Sequence, residues 1–140
     1  MIDIEPVVFD RIARLLIQKY QGITVSDKYE SVIASLPYVS IEEKDNYTHQ
    51  KTQTEKAIEN HANILYEVNV YTNGNNAKAL CKSISSDIDE AMQSIYFTRT
   101  MTSQTPNIDR NIYRVTMRYT GVVNSGKIIN GDTVYSIFRR

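Results

Sequence analysis

The stretch Ile64-Leu65-Tyr66-Glu67-Val68-Asn69-Val70-Tyr71 decides how this chain folds. Ile64, Tyr66, Val68 and Val70 alternate with Leu65, Glu67, Asn69 and Tyr71, the two-residue period of a strand with one face buried. Asn73-Gly74-Asn75-Asn76 turns the chain directly afterwards, and Asn75 or Asn76 offers an N-cap. Ala77, Leu80, Cys81, Ile84, Ile88, Ala91, Met92 and Ile95 then recur at spacings of three and four, while Lys78, Lys82, Ser85, Ser86, Asp89 and Glu90 take the other side. The spacing predicts an amphipathic helix over 76–94, packed on a sheet by one face.

Upstream, Asp3 can cap a helix over 4–20 with Pro6 in its first turn, and Val8, Ile12, Leu15 and Leu16 form its apolar stripe. Phe9, Ala13, Ile17 and Tyr20 make a second apolar line that either meets another subunit or is covered by the sheet. Gly22 ends this helix, and short strands follow at 23–25 and 38–43, separated by a polar link and Pro37. Residues 44–60 are polar around THQKTQTEK and read as an extended hairpin arm or a loop of functional length.

Downstream, Tyr96 to Ser103 is rich in aromatic and β-branched residues, and Thr105-Pro106-Asn107 separates it from a long strand over 111–123. Tyr113, Val115, Met117 and Tyr119 share one face of that strand, with Arg114, Thr116, Arg118 and Thr120 on the wet face. Asn124-Ser125-Gly126 reads as a turn, and Asn130-Gly131 as the turn of a closing hairpin. The fold class is therefore α+β: one domain over 1–140, a mainly antiparallel sheet with two principal helices packed on it.

At 140 residues, 41% hydrophobic and 23% charged, the chain has the composition of a folded domain. Disordered and disulfide-framework classes are excluded. No apolar run approaches the roughly 20 residues that cross a bilayer, and MIDIEPVVFD carries acids where a secretory signal carries bases. The expectation is a chain that stays in the cytoplasm, without a membrane partner. Its zero net charge hides an asymmetry: residues 1–92 hold nine Lys/Arg against fourteen Asp/Glu, and residues 93–140 hold seven against two. Either the acidic region of one copy faces the basic region of the next, as in a ring, or the charges interleave on folding.

Chemistry-bearing residues are few. Cys81 falls on the apolar stripe of its helix, as a buried thiol does. His49 and His61 flank the polar arm at no standard metal-ligand spacing, and no phosphate-binding glycine loop is present. Glu42-Glu43-Asp45 and Asp87-Asp89-Glu90 read as ordinary surface acids, with no apolar pocket to shift a pKa. Catalytic, metal-binding and cofactor residues are accordingly not assigned, and neither an enzyme nor a small-molecule substrate is expected. Arg114 and Arg118 stand about 13 Å apart on one strand face. That ridge suits a phosphate backbone, an acidic subunit surface, or simple solvation.

Residues 37–47 (PYVSIEEKDNY) and 59–71 (ENHANILYEVNVY), with Phe97-Thr98-Arg99-Thr100, Thr105-Pro106-Asn107 and Ile112-Tyr113-Arg114, resemble the tail-terminator or tail-completion proteins of tailed bacteriophages and prophages. The resemblance implies a structural ring, typically a hexamer, that caps the tail tube and joins it to the head. It also implies a virion neck location after assembly in the bacterial host cytoplasm. The implied partners are further copies of the chain, the tail tube protein and head-completion or connector proteins. Tyr47, His49, Gln53 and Glu55 on the arm are then the expected assembly contacts, and Arg114 and Arg118 the expected lumen or DNA-facing residues. Another neck component, such as a head-completion or connector-adaptor protein, fits nearly as well. A small nucleic-acid-binding module fits less well, because the chain is neutral overall.

Overall fold

The computed structural model describes residues 3–28, 35–48, 61–105, 111–129 and 132–138, and for Thr48, His61 and residues from Asn124 onward it describes the backbone alone. The elements run α1 (Glu5–Lys19), β1 (Thr24–Ser26), β2 (Tyr38–Thr48), β3 (His61–Asn73), α2 (Ala77–Ser94), β4 (Thr98–Gln104), β5 (Ile112–Ile129) and β6 (Asp132–Phe138). The sheet order is β1-β2-β3-β5-β4, and β6 pairs the distal half of β5. Only the β1–β2 pair is parallel among the described strands. Both helices pack on one side of this sheet, which is the α+β architecture expected.

The core lies between those layers. Val8, Ile12 and Leu16 of α1 and Cys81, Ile84, Ile88 and Met92 of α2 meet Ile64, Tyr66, Val68 and Val70 of β3 and Val115, Met117 and Tyr119 of β5. Alternation along the strands thus supplies the buried floor and helical spacing supplies the roof. At roughly 1.5–3 kcal/mol per fully buried large apolar side chain, this interface dominates stability. Phe97 joins it edge-on to Tyr66, with ring centroids 5.5 Å apart. It arrives there through a left-handed Tyr96 (φ 67°): the Phe97 N–H bonds the Met92 carbonyl at 3.0 Å and the Tyr96 N–H bonds that of Gln93 at 3.0 Å, closing α2 as glycine usually does.

Several expectations change. Leu15 is not in the buried stripe but 38% exposed, because it lies beside the groove between the helices. The second apolar line splits: Phe9 and Tyr20 pack on the core and Ala13 is buried, whereas Ile17 is 61% exposed. Ile4, not Asp3, occupies the N-cap position, although Asp3 Oδ1 accepts the Glu5 N–H at 3.1 Å. Residues 44–48 continue β2, with a register irregularity between Glu43 and Asp45, and 45–48 pair with 62–65 of β3.

Asn124-Ser125-Gly126 is no turn. β5 runs on to Ile129, and a break in its pairing with β6 between Asn124 and Lys127 absorbs the small residues, as a bulge does. The closing hairpin does form, since Ile129 pairs with Asp132. Residues 49–60 of the arm, including His49, Gln53 and Glu55, lie outside the described residues. Thr48, Ala62 and Val123 share one level of the sheet, so the end of β2, the start of β3 and the part of β5 that pairs with β6 lie at the same end. No helix among the described residues is long and apolar enough to cross a membrane.

Candidate functional site

The side of the sheet away from α1 and α2 carries the most organised polar structure among the described residues. Strand register arranges it in rows. Tyr38, Tyr71 and Arg114 are neighbours across β2, β3 and β5; Ser40, Asn69 and Thr116 form the next row; Glu42, Glu67 and Arg118 the one after. Directly paired residues point to the same face, so these side chains converge without any loop to position them.

Asn69 is the hub. Its Oδ1 accepts Arg114 Nε at 3.1 Å, Arg114 Nη2 at 2.9 Å and Thr116 Oγ1 at 2.6 Å, while its Nδ2 donates to Glu67 Oε1 at 3.3 Å. Thr116 Oγ1 also meets Thr105 Oγ1 at 2.6 Å, and Arg118 Nε donates to Glu67 Oε2 at 3.1 Å. The layer extends to an aromatic pair, with the Arg114 guanidinium 5.2 Å above the Tyr71 ring and Tyr71 5.8 Å from Tyr38. Asn69, Ser40, Tyr38 and Tyr71 are all buried beneath it. A buried amide accepting three bonds has little freedom left, so Arg114 is held in one orientation.

The two arginines differ. Arg118 is ion-paired to Glu67 and half exposed, and Lys44 pairs with Glu42 at 3.0 Å in the same row, so that row is electrically balanced. Arg114 meets an amide and a ring, and no carboxylate among the described residues pairs with it. The basic ridge of the sequence is therefore one anchored cation plus one neutralised pair. Arg99 likewise pairs with Asp89 at 3.2 Å. These pairs join the basic C-terminal region to the acidic N-terminal one, so part of the charge asymmetry closes within the subunit.

Tyr47 stands further along this face, opposite Asn63, and is 46% exposed. Its arm companions His49, Gln53 and Glu55 fall outside the described residues.

The helix side holds other titratable groups. Cys81 is in the core, as its helical position predicted, with Sγ 3.6 Å from the Val70 carbonyl oxygen; burial raises its pKa, against the activation a nucleophile needs. Glu43 corrects the surface reading of its acidic run. It points to the core side of β2, where burial raises its pKa and nearby Glu5 and Asp3 push the same way, and it accepts a long 3.5 Å bond from Tyr66. Burial raises Glu5 as well, and pushes Tyr66 and Tyr119 above the ordinary phenol range. Asp87 accepts a bond from Tyr20 and pairs with Lys19 at 3.0 Å; Asp89 accepts from Tyr119 at 2.8 Å.

A groove of about 510 Å³ between the helices is lined by Arg11, Leu15, Lys19, Asp87 and Glu90. One of about 400 Å³ between α2 and β4 is lined by Lys82, Ser85, Arg99, Gln104 and Tyr113. Cys81 lines neither. Among the described residues no group of three or more His, Cys, Asp or Glu side chains is arranged to hold a metal ion.

The Asn69 hub was missed by sequence reading, although a signal existed. Glu67-x-Asn69 carries the acceptors that Arg114-x-Thr116-x-Arg118 needs, once the two strands are paired antiparallel. No protein-family model matches the chain, and no curated protein matches it.

Proposed function

We propose that this chain is a structural component of a phage or prophage neck, a tail-terminator or tail-completion protein whose copies form a ring, six being the expected number, that caps the tail tube and joins it to the head. The segments that resemble that family fall on neighbouring strands, β2, β3, β4 and the start of β5. One observation carries the reading. The sheet presents exposed Tyr47 and Arg118 and a partly exposed Arg114 on the side away from α1 and α2, while α1 keeps Val7 and Ile17 exposed on the other. A domain with distinct uncovered surfaces on opposite layers is suited to head-to-tail contact between copies, the arrangement that closes a ring. The titratable groups of the described core serve packing and internal bonds, which fits fit-based assembly better than turnover.

The test is tail completion. Purified chain added to tail tubes from a lysate lacking it should cap them with a ring seen by electron microscopy, and make them competent to join heads. Tubes that remain uncapped and unjoined contradict the proposal. Joining without a ring on the tube would favour the head-completion or connector-adaptor reading.

For the arginine face, the alternative is a lining beside passing DNA. The pairing of Arg118 with Glu67 weakens it, because a phosphate backbone following β5 would meet Glu67 and Glu42 beside the arginines. Strong, salt-sensitive and sequence-independent DNA binding that falls on changing both arginines to alanine would restore it.

A further inference from the structure

We propose that Arg114 is a preformed socket for a single carboxylate, and that Asp10 of a second copy of this chain fills it. The occupant rests on the ring reading; the socket rests on geometry alone.

Guanidinium carries five N–H donors in a rigid fork. Asn69 Oδ1 takes Nε and one donor of Nη2, and the Tyr71 ring lies against the plane. The inner edge is thereby fixed, and among the described residues the remaining donors are left to the outer edge, which is the shape that grips a carboxylate with two bonds. Arg114 is only partly exposed, so its charge is partly desolvated with no counter-charge among the described residues. An oxyanion brought by a partner would supply it.

The surroundings favour one carboxylate over a nucleic acid. Glu67 and Glu42 occupy the row two residues along, and the neighbouring cations Arg118 and Lys44 are already engaged with them. A polyanion would be repelled there, whereas a point anion at Arg114 meets no such opposition.

The helix layer, on the opposite side of the sheet, offers several acids in differing surroundings. Asp87 pairs with Lys19, Asp89 pairs with Arg99, and Glu90 lies within the field of Lys19. Glu5 sits among Asp3, Asp27 and Glu43. Asp10 is exposed, with no ion pair among the described residues, not even to Arg14 one turn on. It belongs to the outer strip of α1 that includes Val7, Arg14 and Ile17, and Val7 and Ile17 are 56% and 61% exposed. An acid between uncovered apolar residues on one layer complements a cation on the other. Because donor and acceptor lie on opposite layers, the contact is heterologous and repeats from copy to copy.

The experiment is a double-mutant cycle on self-association, read by sedimentation equilibrium for the chain alone and by ring formation on tail tubes. Circular dichroism melts confirm folding. Arg114→Ala and Asp10→Asn should each weaken association roughly tenfold or more, and the double variant should lose little beyond either single change. Arg114→Lys should recover only part, lacking the fork, and Arg118→Ala should stay within about twofold of wild type. Additive losses would separate the two residues and overturn the pairing. If Arg114→Ala misfolds, Asp10→Asn at an exposed position still decides: wild-type association in it overturns the proposal. Loss of DNA binding in Arg114→Ala with association unchanged would make phosphate the occupant. Rings formed equally well by both variants sink the socket and leave the ring reading standing, whereas a wild-type chain that associates in neither setting sinks both.

Discussion

The two faces of one sheet, built from alternate residues of the same strands, do different work. On the helix side, β3 contributes Ile64, Tyr66, Val68 and Val70 to an apolar core whose energy comes from burial and close packing. On the opposite side, the same strand contributes Glu67, Asn69 and Tyr71 to a layer of directed bonds, each worth little net in stability. Packing tolerates no change of volume, while the polar layer orients chemical groups outward. Mutations should therefore divide by face: helix-side changes should cost the most stability, and changes on the polar side should cost recognition as well.

The largest effect expected is on the helix side. Phe97→Ala removes a fully buried ring from against Tyr66 and should cost about 3–5 kcal/mol, read by urea unfolding. A loss under about 1 kcal/mol would mean that the core repacks and the contrast fails. Gly121→Ala probes the same contact from the other side, since an added Cβ would lie 2.8 Å from the Phe97 ring, and about 1–3 kcal/mol of overpacking is expected.

Asn69→Ala sharpens the comparison. It removes the acceptor of Arg114 and Thr116 and should cost about 1–3 kcal/mol, while also freeing Arg114, and it should weaken self-association as is expected of Arg114→Ala. Unchanged association would show that Arg114 needs no positioning. Arg118→Ala should be the smallest change in this layer, about 0–1 kcal/mol, because its pair with Glu67 is solvent-screened.

Glu43 blurs the division, being an acid on the helix side. Its raised pKa, caused first by burial and then by Glu5 and Asp3, means that the folded chain holds this proton more tightly than the unfolded chain. Stability from this group must then fall as pH climbs from the ordinary carboxylate value through the raised one. Glu43→Gln has no proton to release. Its melting temperature should gain on wild type as pH rises above the ordinary carboxylate value. A gap that stays constant with pH would contradict the burial of that carboxyl.

The helix-side face was legible in the sequence because its signals are local. Two-residue alternation in 64–71 and three-and-four spacing from Ala77 to Ile95 need no knowledge of partners. The polar layer was not, because Asn69 is buried by groups from another strand. Arg114, bonded to it, lies 45 residues away, and only the β3–β5 register brings them together. Arg114 and Arg118 share a face as their spacing predicted, but that face is not wet throughout, since Thr116 between them is buried, and spacing along one strand cannot show which arginine is neutralised. Glu43 was read as surface for the same reason: its face depends on where β2 pairs with Tyr66. At Asn124-Ser125-Gly126, turn-forming residues also suit a bulge, and strand pairing decided between them.

The most direct test of the central claim, that this chain acts through fit between its own copies, is native mass at near-physiological salt, alone and with tail tubes. A closed ring of six 16.1 kDa chains gives about 97 kDa, or that mass bound as a unit to the tube. A species that remains at 16.1 kDa in both conditions would contradict the account.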